Sequence, residues 1–173
     1  LLTKHYLLIS NSLSSIAVFI KDPMRKLYTA VFLLLALTHL SKAQIVINEF
    51  SAANKSNYAA ANGNFYDWIE LHNNSGAAVN IGGWYISDNP DTLTNGQIPA
   101  GINMANNSYR IFFCSGRNGI VSGQYHSNFK LTQSDTSEHI ILTNPSLVIV
   151  DSLTIFPCDS NDSRGRTTNG AAT

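Results

Sequence analysis

Ile47-Asn48-Glu49, Asp67-Trp68-Ile69-Glu70-Leu71 and Gly83-Trp84-Tyr85-Ile86-Ser87-Asp88 mark out the stretch from Ile45 to Asp88. In each, apolar and polar side chains alternate with the two-residue period of a β-strand. Asn/Ser/Gly-rich turns separate them, as between the strands of an antiparallel sheet. Within residues 68–72, Ile69 and Leu71 fall on one face of the strand, while Trp68, Glu70 and His72 fall on the other. Within 81–88, Trp84 and Ile86 share a face, with Tyr85 and Ser87 opposite.

The same pattern, followed outward, predicts seven short strands over 45–51, 68–73, 83–88, 109–115, 129–132, 139–143 and 148–156. Asn73-Asn74-Ser75-Gly76, Asp88-Asn89-Pro90-Asp91, Asn95-Gly96, Asn118-Gly119 and Asn144-Pro145-Ser146 supply the turn chemistry between them. Only the Ala-rich residues 52–62 leave room for a helix. The expected fold is all-β, an immunoglobulin-like antiparallel β-sandwich. Its expected core is Ile69, Leu71, Trp84, Ile86, Ile111, Phe113, Ile141 and part of 148–155. Each large side chain buried there contributes ~1.5–3 kcal/mol.

Of 173 residues, 44% are hydrophobic and 13% charged, a composition that suits one compact domain and not a disordered chain. Eleven basic and eleven acidic residues cancel, but they are unevenly placed. Lys4, Lys21, Arg25, Lys26 and Lys42 precede Gln44 with one acid, Asp22, which leaves six basic and ten acidic residues, a net of −4. The part after Gln44 has no basic stripe to neutralise phosphates, which argues against nucleic-acid binding.

Met24-Arg25-Lys26, the apolar run within 27–40 and Ser41-Lys42-Ala43 have the order of a signal peptide over 24–43, with cleavage before Gln44. The uninterrupted apolar run falls short of the ~20 residues that span a bilayer, so no membrane span is expected after cleavage. Residues 1–23 read as upstream sequence ahead of the Met24 start, and 44–173 as the folded domain. The implied location is secreted or cell-surface.

Taken in order, these motifs resemble the lamin tail domain, in the form found in bacterial secreted and cell-surface proteins. To the three segments quoted first are added Ile98-Pro99-Ala100-Gly101, Asn128-Phe129-Lys130-Leu131, Val150-Asp151-Ser152, Ser163-Arg164-Gly165-Arg166 and Asn169-Gly170. The resemblance runs from Ile45 to about Gly170. It implies a non-catalytic binding or scaffold module without cofactors. It also implies a fragment, with further domains beyond Thr173, since family members commonly continue past this point. A nuclear lamin is excluded by the signal peptide and by the lack of a heptad rod ahead of the domain.

Candidate ligand-binding residues are Trp68, Glu70 and His72, where an indole, a carboxylate and an imidazole on one strand face can stack on a sugar and hydrogen-bond its hydroxyls. The competing reading buries Trp68 beneath residues 52–66. Glu49, Asp67, Asp88 and Asp91 are weak candidates for Ca²⁺, lacking the register of an EF-hand loop. His72, His126 and His139 lack the spacing of zinc ligands. No Gly-x-Ser-x-Gly elbow is present, and no enzyme is expected. Cys114 and Cys158 either pair in an oxidising compartment or remain two thiols. Arg164 and Arg166 either grip an anion or tie the tail to the sandwich. Asn54, Asn73, Asn106 and Asn161 stand in glycosylation sequons.

Two functional classes follow. The chain is expected to be a non-catalytic exported module making protein or carbohydrate contacts for a larger surface or secreted protein. The alternative is an accessory N-terminal domain of a secreted multidomain enzyme (hydrolase, nuclease or spore-coat-kinase-like).

Overall fold

The computed structural model describes residues 26–28, 45–133 and 138–169. It divides into two units, Leu1–Lys42 and Ala43–Thr173. In the first, residues 26–28 form an exposed helical turn; otherwise the expected upstream segment and signal peptide lie outside the described residues. Among the described residues no helix is long and apolar enough to cross a membrane.

The second unit is all-β. Its strands are β1 (Ile45–Ser51), β2 (Asp67–Asn73), β3 (Val79–Asn80), β4 (Tyr85–Ser87), β5 (Gly96–Gln97) and β6 (Asn103–Met104). They continue with β7 (Tyr109–Cys114), β8 (Gly119–Val121), β9 (Gln124–His126), β10 (His139–Thr143), β11 (Ile149–Thr154) and β12 (Arg164–Gly165). One sheet has the order β12-β1-β2-β7-β9-β8, the other β11-β10-β4-β5, and β3 pairs separately with β6. The inward faces of the two large sheets meet in one apolar cluster. Ile45, Ile47, Phe50, Ile69, Leu71 and Phe112 come from the first sheet, and Ile86, Ile140 and Leu142 from the second.

Several expectations need correction. Residues 129–132 form no strand; Phe129 and Leu131 are buried from an irregular segment. Residues 52–62, by contrast, form no helix, as the loop reading of that segment expects. The sandwich is not wholly antiparallel, because β7 and β9 meet in parallel at Phe113 and His126. Phe112, not Phe113, faces the inter-sheet core, since the β2–β7 register sets Ile69 opposite Phe112 and Trp68 opposite Phe113. Ile111 moves to the outer face with Phe113 for the same reason. On β10 the core residues are Ile140 and Leu142, with Leu142 opposite Ile86, and Ile141 points the other way, opposite Ser87.

A bulge in β1 positions the outer face. The register with β2 runs Ile47 to Leu71 and then Glu49 to Glu70, leaving Asn48 as the extra residue. The bulge changes the parity of the strand, so Ile47 and Phe50 both reach the core while Glu49 emerges beside Glu70 on the outside. Gly165 of β12 packs over this point: a Cβ on it would lie 3.1 Å from the Asn48 carbonyl, tighter than ordinary contact.

Candidate functional site

The outer face of the six-stranded sheet is built in cross-strand rows. Trp68 lies opposite Ser51 and Phe113, Glu70 opposite Glu49 and Ile111, and His72 opposite Val46 and Tyr109. Directly facing residues on one side of a sheet are close enough to interact. Each row therefore fixes a local environment.

The upper row is aromatic and largely covered. The segment between β1 and β2 folds over it, held by Asn54, whose amide donates to the Tyr58 and Tyr66 carbonyls at 2.7 and 2.8 Å. Tyr58 meets Trp68 edge-on with centroids 6.2 Å apart and lies nearly parallel to Phe113 at 6.0 Å. Trp68 is thus half-buried beneath this segment, with a neighbour already on its ring.

His126 completes the cluster. It stacks on Phe113 at 5.2 Å and receives the edge of Tyr66 at 5.2 Å. Its Nδ1 lies 2.9 Å from Ser115 Oγ, and its buried Nε2 has no hydrogen-bond partner in the structure. Burial, and then the charge of Arg117, lowers its pKa below the ordinary 6.5. The imidazole is a neutral packing group.

The lower row corrects the role expected of His72. Tyr109 stacks on it at 4.3 Å with an interplanar angle of 14°, and only 2% of the residue is exposed. Its Nε2 lies 3.0 Å from Asn107 Oδ1. The ring is withdrawn from any ligand, and Tyr109 presents the surface in its place.

Between these rows Glu70 remains accessible at half-burial, with Oε1 accepting from the Asn48 amide at 2.9 Å. A groove of about 350 Å³ opens over it, lined by Tyr58, Glu70, Tyr109, Arg110, Ile111 and Gln124 among others. Gln124 Oε1 accepts from Ala61 N at 2.6 Å, which leaves its amide nitrogen as a donor. Of the three expected ligand-binding residues, the groove includes only Glu70. Tyr58, Tyr109, Arg110 and Gln124 went unnoticed in the sequence; an aromatic in each of two polar segments flanking the strands was the available signal.

The candidate cation ligands do not converge. No group of three or more His, Cys, Asp or Glu side chains able to hold a metal occurs among the described residues. Asp67 accepts from Asn54 N at 3.3 Å, and its pKa is raised above 3.8, chiefly by burial. Asp88 accepts from the Asn95 amide at 2.7 Å, Asp91 is exposed, and Glu49 lies beside Glu70 on β1. Cys114 and Cys158 form no disulfide here; both are free, buried thiols in the same apolar cluster.

Arg166 ties the tail down. Its guanidinium donates from Nε to the Ile47 carbonyl at 2.8 Å and pairs with Asp151. Arg164 sits exposed in β12 beside Phe50 of β1.

No curated protein matches the chain. The family model described as Lamin Tail Domain matches residues 38–156, more than half of the chain, and stops short of the Arg166 tail that the resemblance had included. The chain therefore belongs to the Lamin Tail Domain family, whose members are non-catalytic immunoglobulin-like domains.

Proposed function

We propose that this chain is a non-catalytic module, exported by a bacterial cell, that makes protein or carbohydrate contacts for a larger surface or secreted protein. The observation that carries this reading is the groove on the outer face of the six-stranded sheet, where two exposed tyrosines flank a half-buried carboxylate. Exposed aromatic rings beside fixed polar groups are what binding surfaces concentrate. The acidic balance after Gln44 and the order of residues 24–43 support export and argue against nucleic acid as the partner.

Two measurements test it in the host. Cell fractionation with N-terminal sequencing is expected to find the protein outside the cytosol, beginning at Gln44; an unprocessed cytosolic protein overturns export. Tyr58→Ala and Tyr109→Ala are expected to release the protein from its surface partner while leaving it folded. Unchanged retention of both variants overturns the assignment of the contact to this face.

A further inference from the structure

We infer that the groove over Glu70 is a subsite for a neutral saccharide, with a pyranose ring seated between Tyr58 and Tyr109. The inference rests on the reading of the outer sheet face as the contact surface, and names what that surface holds. Tyr58 and Tyr109 are each 43% exposed, so each offers ring area to a ligand. Neither ring is loose. Tyr58 is backed by Trp68 and Phe113, and Tyr109 lies flat on His72 with its hydroxyl accepting from the Asn169 amide at 2.8 Å. Rings held in place by packing lose little entropy when a ligand stacks on them.

The polar lining matches hydroxyl groups in kind. Asn48 fixes one oxygen of the Glu70 carboxylate, which serves as an acceptor. The bond from Ala61 N commits the Gln124 amide to offering its donor side. Vicinal hydroxyls each give and take a hydrogen bond, so alternating acceptors and donors suit them. Ile111 contributes an apolar patch for ring C–H groups.

Charge narrows the choice. Glu70 lies in the groove and the domain around it is net acidic, which disfavours an anionic polysaccharide. The groove volume of about 350 Å³ is at the small end for ligand sites, which run from roughly 300 to 1,000 Å³. A site of this size accommodates one or two sugar rings.

The test is isothermal titration of the full chain with neutral hexasaccharides of glucose, mannose, galactose and N-acetylglucosamine, alongside heparin and polylysine. At least one neutral hexasaccharide is expected to bind saturably. Tyr109→Ala and Tyr58→Ala are then expected to weaken it by about tenfold or more, a change of ~1.4 kcal/mol. Tyr109→Phe keeps the ring and is expected to retain most of the affinity, whereas Glu70→Gln, with an unchanged melting temperature, is expected to lose severalfold. Binding by heparin or polylysine alone, or by no probe, overturns the inference. If surface retention in the host depends on both tyrosines while no neutral saccharide binds, the saccharide falls and the outer face survives. Saccharide binding indifferent to both tyrosines removes this subsite.

Discussion

Arg166 and Asp151 meet at 2.6 Å with only 6% and 10% of their side chains exposed, at the point where β1 of one sheet approaches β11 of the other. Asp151 Oδ2 also accepts from Ile47 N at 2.7 Å, and Arg166 N donates to the Asn48 carbonyl at 2.9 Å. One carboxylate thus serves a strand backbone and a guanidinium together. Removing one partner strands the other charge away from water. Arg166→Ala is expected to cost about 3–5 kcal/mol of stability, and Asp151→Asn a comparable amount. The double variant should lose less than the sum of the two. Urea unfolding measures all three, and a loss under about 1 kcal/mol for Arg166→Ala would mark the pair as behaving like a solvated one.

His126 sets a pH dependence. Burial, with Arg117 nearby, lowers its pKa, so the native ring stays neutral where the unfolded imidazole takes a proton near 6.5. The native state then binds fewer protons, and stability falls as pH drops from above 6.5 through the lowered native value. Unfolding free energies measured across this range are expected to decline in the wild type and to flatten in His126→Phe. Asp67 acts in the opposite sense. Its native pKa is raised above 3.8 by burial, so its contribution weakens as pH rises through that raised value. Asp67→Asn should remove this second dependence.

Asn73 holds three carbonyls. Its fully buried amide donates to Ala77, Met104 and Ala105 at 2.8, 2.9 and 2.9 Å. Asn73→Ala is expected to cost at least ~1–3 kcal/mol, the penalty for leaving the buried Met104 carbonyl unpaired. Folded product from a eukaryotic secretory host should carry no glycan at Asn73 or Asn54, whose amides are used internally, and should accept one at exposed Asn106. Glycopeptide mass spectrometry decides the matter.

The thiols should be silent until the domain opens. Burial raises the Cys114 pKa well above 9.0, which suppresses its thiolate. Ellman's reagent is expected to find no reactive thiol in the native protein and two in guanidinium. Finding none in guanidinium would mean that the cysteines are bridged.

The strands legible in the sequence are those of five to seven residues, long enough for an apolar run between turn residues to stand out. β1 and β10 were bounded to the residue, and β2 and β7 to within one. The pairs β3–β6 and β8–β9 were not foreseen, because two or three residues carry no measurable period. Tyr109-Arg110-Ile111-Phe112-Phe113-Cys114 shows where alternation fails: residues 111 and 113 are apolar, and so are 112 and 114. Only the partner strand decides which pair turns inward. The same ambiguity misplaced Ile141 among Ile140 and Leu142. At the candidate site, the common face of Trp68, Glu70 and His72 followed from parity alone. Their covering by Tyr58 and Tyr109 comes from residues 10 and 37 positions away, and no local pattern announces it.

The antiparallel pairing of β12 on β1 also sets how the domain meets mechanical load. Glu49 faces Gly165 and Phe50 faces Arg164, so the chain entering at Ile45 and the chain leaving at Arg166 run toward the same end of the sheet. A pull applied through those two segments would draw β12 away from β1 sideways, one rung at a time, instead of shearing all rungs together. Asn169, held to Asn48 and to the Tyr109 hydroxyl, would take the strain first, and then the bonds of Arg166 to Ile47, Asn48 and Asp151. These bonds are the fuse of the fold under tension: once they open, the edge of the sheet can peel and Tyr109 loses its tether while β2 and β7 stay paired.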